Sequence, residues 1–389
     1  MNTTYDPNII DIPIITGVKK EESIVEPTFH EINDVRTPAE FRGYTFSNYK
    51  KIDAKKLMID AMNKSKVEPA CYWCAEMVCA GHFADIWEII IFYTSKYIHL
   101  GNPKIAIYLD MRYSVFRNIM NQNFHASEID VRNNPKIRRL FAEIICTITL
   151  SDKKPSLEQV KINSSEEFDM TQMSNKLRAD STQYIDEFFK PKDPRGLYIA
   201  LNEFAYAISS TGSNMASACY WTEWILEFET ICKRRKEPVR CVNRQYTVGD
   251  KFRGNVIWIL WDILSSGSEK HSNGIVDKTM KSLLNLFCIK YTDATSKRRR
   301  YLLYYAIGLL TESVPLSGEI LPNRDLLQTV TNQVEELYKQ VKKNEHTPNT
   351  EYLFNGLDKK RALEQSIKQM ELVGQIDTTT TTPFYKEGS

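Results

Sequence analysis

Cys71, Cys74, Cys79 and His82 fall within twelve residues of one another. Thiolate and imidazole groups this close together are zinc-ligand types. On a helix their spacing would put all four on one face. A compact zinc site needs a turn between its ligands, and this stretch reads as unbroken helix up to Gly81. Buried thiols are therefore the favoured reading, and no metal is assigned. The other histidines are His30, His99, His125, His271 and His346, and none sits in H-E-x-x-H or near a nucleophile elbow. Carboxylates are plentiful, but no acidic pair stands apart from ordinary helix surface. No G-x-x-x-x-G-K-[ST] phosphate loop occurs. The chain reads as non-enzymatic, with no cofactor.

Two basic runs carry a sharper signal: Lys233, Arg234, Arg235, Lys236, and Lys297, Arg298, Arg299, Arg300. Four adjacent cations repel one another unless an anion is near. All eight are assigned as contacts for a polyanion or an acidic partner and are expected to be largely exposed. Phosphate contacts of this kind give affinity without sequence readout. The first run follows a helix, where cations complement the dipole. The second precedes the apolar stretch Tyr301–Leu310, where the dipole disfavours cations, so it needs another explanation. Between Thr182 and Phe189, Ile185 lies three residues before Phe188 and Phe189, as in a sliding-clamp-binding peptide. The same three residues suit a helix docked on the chain's own core, which is the favoured reading.

The elements that would position these groups are helical. Ala54, Leu57, Met58 and Ala61 recur at i, i+3, i+4 and i+7. Pro69 opens a helix that stops at Gly81; another runs from Asp85 to Ile98 and stops at Gly101-Asn102-Pro103. Further helices are expected near Ile105–Asn121, Asn134–Thr149 and Ser181–Phe189, and from Arg195 to about Leu310. Asn323 is placed to cap a helix with Leu326, Val330, Val334, Leu337 and Val341 on one stripe. A last helix spans Lys359–Val373. The fold class is all-α: an extended arm over 1–50, a helical module over 51–150, a polar linker over 151–180, a second module over 181–312, C-terminal helices over 313–376 and a tail over 377–389.

Composition agrees with this. The chain has 389 residues, 42% of them hydrophobic, enough to bury a core without disulfide or metal staples. Fifteen glycines and fifteen prolines are too few for a fold built of many tight turns. Lys plus Arg is 51 and Asp plus Glu is 49, a net charge of +2, which excludes a histone-like protein. The N-terminus lacks a basic segment and apolar run of the signal-peptide kind. No apolar stretch reaches the roughly 18 residues of a membrane span. The eight cysteines show no secreted spacing and read as reduced thiols.

Ala70-Cys71-Tyr72-Trp73 recurs as Ala218-Cys219-Tyr220-Trp221, 148 residues later. Each copy follows an amphipathic helix with a polar turn and precedes a tryptophan-bearing apolar helix. Two similar helical modules are the expectation; two unrelated core helices are the alternative. The stretch Ala70–Gly81, with Ser95–Pro103, resembles the helical region after the ATPase core of the MgsA/RarA-type clamp-loader-like ATPases. Asn102-Pro103 stands where that family has Asp-Pro. That resemblance implies a packing module and carries over no catalytic residue. The whole chain is also similar to an uncharacterised protein family of nucleocytoplasmic large DNA viruses. The similarity is carried by Ala70–Pro103 and by Ala218–Trp224 through Lys233–Lys236. It implies a context of viral DNA metabolism, expression or assembly. With two helical modules and no catalytic set, the expectation is an adaptor or scaffold in a viral replication, transcription or packaging assembly, or alternatively a structural component of the virus particle. Host cytoplasm, viral factory or virion is the implied location, with protein partners, nucleic acid as a further partner, and no membrane.

Overall fold

The computed structural model describes residues 36–37, 39–122, 127–163, 168, 173–321, 323–341, 349–351 and 353–377. Most of the expected arm, with His30, and the tail lie outside the described residues, as do His125 and His346. The described residues are all-α, with fifteen helices, two isolated bridges and no strand. The helices are α1 (Lys51–Asn63), α2 (Val67–Cys79), α3 (Phe83–Tyr93), α4 (Ile105–Gln122), α5 (Glu128–Asn133), α6 (Pro135–Leu150), α7 (Tyr198–Ile208) and α8 (Met215–Arg234). Then follow α9 (Ile257–Glu269), α10 (Gly274–Cys288), α11 (Thr295–Arg298), α12 (Arg300–Thr311), α13 (Arg324–Asn332), α14 (Val334–Gln340) and α15 (Leu357–Asp377).

Two compact units result, and neither is contiguous. Among the described residues one unit takes 87–122 and 151–321, the other 36–86, 127–150 and 323–377. The boundaries expected at 51–150 and 181–312 are therefore corrected. The cause is α4, whose partner is α10. The Asn285 amide donates to Asp110 across that pair at 2.8 Å. Residues 105–122 thus bury their apolar face with the later part of the chain.

In the second unit α2 is the central helix. Every residue but Pro69 is buried. A helix apolar all round has to be surrounded, and α1, α6, α14 and the start of α15 pack on it. The Asp358 carboxylate accepts from the N–H groups of Val67 and Glu68 at 3.0 Å each, capping α2 from a distant segment. In the first unit α12 plays the same part, with Tyr301 to Leu309 buried.

The tetrapeptide repeat extends to a repeated order of elements. Ala70 is the fourth residue of α2 and Ala218 the fourth of α8. α1 packs on α2 and α7 on α8; α6 then packs on the first pair and α12 on the second. A short helix, α5 or α11, precedes each of α6 and α12. Tyr72 meets Trp73 edge to face at 5.3 Å, and Tyr220 meets Trp221 likewise at 5.0 Å.

The expected linker is an ordered segment where it is described. Ser156 N–H donates to the Lys96 carbonyl at 2.8 Å, and Lys154 N–H to the Ile98 carbonyl at 3.1 Å. Further on, Glu203 accepts from the N–H groups of Arg178 and Ala179. The partner of 154–156 is a π-helical turn, Thr94–Ile98, which ends in His99 at φ 45°.

Candidate anionic-partner interface

The second basic run turns inward. Arg299 is buried at 3% exposure, contrary to the expected exposure of the run. Its guanidinium reaches Glu88 at 2.5 Å and donates to the carbonyls of Leu286, Phe287 and Ile289 at 2.7–3.0 Å. Those carbonyls are the C-terminal end of α10, where positive charge is favoured. Arg300 pairs with buried Glu223 at 2.6 Å, and Lys297 with Glu227 at 2.9 Å. Arg298, exposed, reaches Glu88 at 3.1 Å. The position of the run before α12 is thereby explained. Its cations serve carboxylates on α3 and α8 and the end of α10. As a group these four are not presented to a polyanion, which corrects their assignment.

The first run behaves differently. Lys233, Arg234, Arg235 and Lys236 are all exposed at the C-terminal end of α8. Lys233 pairs with Glu229 one turn back at 3.2 Å, and Arg234 with Glu227 at 3.6 Å. Exposed pairs of this kind contribute about 0–1 kcal/mol. No carboxylate among the described residues pairs with Arg235 or Lys236.

Beside this cationic end lies a cleft of about 690 Å³, within the same unit. Trp224 and Phe228, one turn apart on α8, stack at 5.4 Å and 10°. Phe168 lies 4.7 Å from Trp224. Ile231 extends the α8 wall, and Ile199 of α7 enters it at 38% exposure. Arg234 and Arg235 line it from α8, and Arg195 from the 3₁₀ turn before α7. Gly196 lets that turn approach, since a Cβ there would stand 3.3 Å from the Phe228 ring. Cys232 also lines it; burial pushes its thiol pKa up, which keeps it uncharged. No carboxylate lines the cleft among the described residues.

The clamp-type segment is not on offer. Ile185 is fully buried, and the N–H groups of Phe188 and Phe189 both donate to its carbonyl at 2.9 Å. That is one tight turn, not the expected helix over Ser181–Phe189. Phe189 packs edge to face on Tyr198 at 5.0 Å. The Phe188 carbonyl accepts from Arg244 at 3.0 Å. Ile185 would have to leave its own core to reach a clamp, so the alternative of self-docking holds.

Buried titratable groups are tied to structure. Cys71, Cys74 and Cys79 are buried on α2, and burial pushes each thiol up. His82 accepts from or donates to no nearby thiol in the described contacts; its Nε2 meets the Tyr44 carbonyl at 2.7 Å. Glu76 accepts from Ser47 N–H at 2.9 Å and from the Tyr72 hydroxyl at 3.2 Å. Glu68 accepts from Phe354 N–H at 2.9 Å. Burial raises both carboxyl pKa values. Raised carboxyls can mark catalysis, but these two hold loops against α2. Arg244 makes a bidentate pair with buried Asp193 at 2.7 and 3.0 Å and reaches Asp262 at 3.0 Å. It too is spent within the unit.

From the sequence the basic end of α8 was legible and the cleft was not. The available signal was the i, i+4 pair Trp224 and Phe228 leading directly into the basic run. No family model, curated protein or solved structure matches this chain.

Proposed function

We propose that the chain is a non-enzymatic helical adaptor that joins an anionic partner through the basic end of α8. The observation that supports it is the contrast between the two runs. One is consumed by internal carboxylates, while Lys233–Lys236 are exposed, with Arg234 and Arg235 lining a largely apolar cleft. The resemblances drawn from Ala70–Pro103 and Ala218–Lys236 suggest the setting, an assembly that replicates, transcribes or packages viral DNA. Binding of labelled polyglutamate and of a DNA oligonucleotide, each followed across a salt series, tests the reading. Wild type should bind at least one of them, more weakly as salt rises. Reversing Lys233, Arg235 and Lys236 to Glu should abolish that binding. Retention of full binding by the reversed variant refutes the proposal.

A second reading is a structural component of the virus particle. It is favoured by α15, where Leu363, Ile367 and Met370 are exposed at i, i+4 and i+7. Such a stripe suits packing on another helix. Light scattering of wild type and of Ile367→Glu tests it; a monomer in both would set this reading aside.

A further inference from the structure

We infer that the cleft beside the basic end of α8 docks an acidic peptide segment of a partner protein, with a bulky apolar side chain between its carboxylates. This rests on the reading of that end as an anionic-partner contact and names the partner's chemistry. The two halves of the cleft ask for two kinds of group at once. Its wall is Trp224, Phe228, Ile231 and Ile199, which gains only by covering apolar surface. Its rim is Arg195, Arg234 and Arg235. A guanidinium presents a planar fork that matches a carboxylate two-to-two. Among the described residues no carboxylate lines the cleft; Glu227 reaches the rim cation Arg234 only at 3.6 Å and is held by Lys297 at 2.9 Å, while Glu229 pairs with Lys233.

Nucleic acid fits the same cations but not the wall. Sequence-tolerant strand binding uses open aromatic faces on which bases stack. Here the rings pack on one another: Trp224 stands 5.4 Å from Phe228 and 4.7 Å from Phe168, and Phe228 is backed by Gly196. The remaining wall is aliphatic, from Ile199, Ile231 and Met173. A branched or aromatic side chain entering end-on fills such a space better than a flat base. The volume, about 690 Å³, lies within the roughly 300–1,000 Å³ of ordinary ligand clefts.

The test uses the full chain and three fluorescent probes. The first is a twelve-residue peptide of aspartates and glutamates around two leucines and a phenylalanine. In the second, the three apolar residues are serines. The third is single-stranded oligothymidylate. The first should bind best, and the serine peptide should bind about thirtyfold more weakly, the factor for losing an interface hot spot. Ile199→Asp should weaken the first peptide by a similar factor and the serine peptide by less, through charge repulsion alone. Ile199 is part-exposed, and a melting curve like that of wild type shows that this variant folds. Arg195→Ala, at an exposed residue, gives a second variant that should weaken both peptides. Equal binding of the two peptides overturns the proposal, as does an unchanged affinity in Ile199→Asp. Displacement of the first peptide by oligothymidylate at lower concentration assigns the cleft to nucleic acid instead. If the Lys233, Arg235 and Lys236 reversal abolishes all binding while Ile199→Asp changes nothing, the basic end stands and the cleft inference falls. If no probe binds, both fall.

Discussion

Arg299 should be the most sensitive cation in the chain, although it sits in a run of four. The perturbation is Arg299→Met, which keeps length and removes charge and donors. Three carbonyls, of Leu286, Phe287 and Ile289, lose their guanidinium, and Glu88 loses its 2.5 Å partner. Removing one member of a buried ion pair costs about 3–5 kcal/mol. Glu88 is 26% exposed and keeps Arg298 at 3.1 Å, which moves the figure toward about 3 kcal/mol. The matched control is Arg298→Met, whose side chain is 47% exposed and which should cost no more than about 1 kcal/mol. Urea unfolding followed by tryptophan fluorescence is the assay. Trp87, Trp221, Trp224, Trp258 and Trp261 belong to the unit that holds Arg299, so its transition dominates the signal. A chain of two units need not unfold in one step, and the midpoint of that transition is the quantity to compare. Equal shifts for the two variants would refute the account of the run as an internal cap and return Arg299 to the surface.

Burial holds His99 neutral, with its pKa down at about 4 against 6.5. The folded state therefore binds fewer protons than the unfolded chain between those values and loses stability as pH falls through that window. The total is about 3 kcal/mol at about 1.4 kcal/mol per tenfold change in proton affinity, and the urea midpoint of His99→Asn should fall less than that of wild type between neutral pH and pH 4.5. Trp221 is fully buried, and Trp221→Ala should destabilise its unit by about 3–5 kcal/mol; a change under about 1 kcal/mol, the scale of surface substitutions, would contradict that burial. At Gly101 a Cβ would stand 2.5 Å from the Asp152 carbonyl oxygen. Gly101→Ala should accordingly lower stability by about 1–3 kcal/mol, and an unchanged melting curve would place residues 151–156 elsewhere.

What could be read from the sequence followed from local rules. Asn323 accepts from Leu326 N–H at 2.9 Å as the cap of α13. The stripe after it is real but broken at Gln333 into α13 and α14. Gly81, at φ +72°, ends α2 where its freedom is needed. The α2 and α8 helices start at matching positions of the repeated tetrapeptide. The unit boundaries were not legible, because the partner of α4 lies more than 150 residues away and neither helix advertises the other. Ser181–Phe189 carries a helical pattern, yet Ile185 is drawn into the core by a single turn. The cleft escaped for a related reason: Phe168, Ile199 and Phe228 come from three separate stretches.

The two basic runs show how far charge alone can be pushed. Both have four adjacent cations, and both lie near helix ends. Judged only against the helix that follows it, Lys297–Arg300 is misplaced, since a helix N-terminus repels cations. Its true neighbour is the C-terminus of α10, whose last carbonyls Arg299 satisfies. Glu88, Glu223 and Glu227 then bring the net charge of the group close to neutral. At the end of α8 the geometry is reversed. The cations already sit at a favourable C-terminus, and among the described residues the carboxylates paired with them are Glu227 and Glu229. Glu227 is shared with Lys297, so the run keeps an excess of positive charge, and Arg195 adds to it across the cleft. An excess that folding leaves uncompensated is what a partner can use.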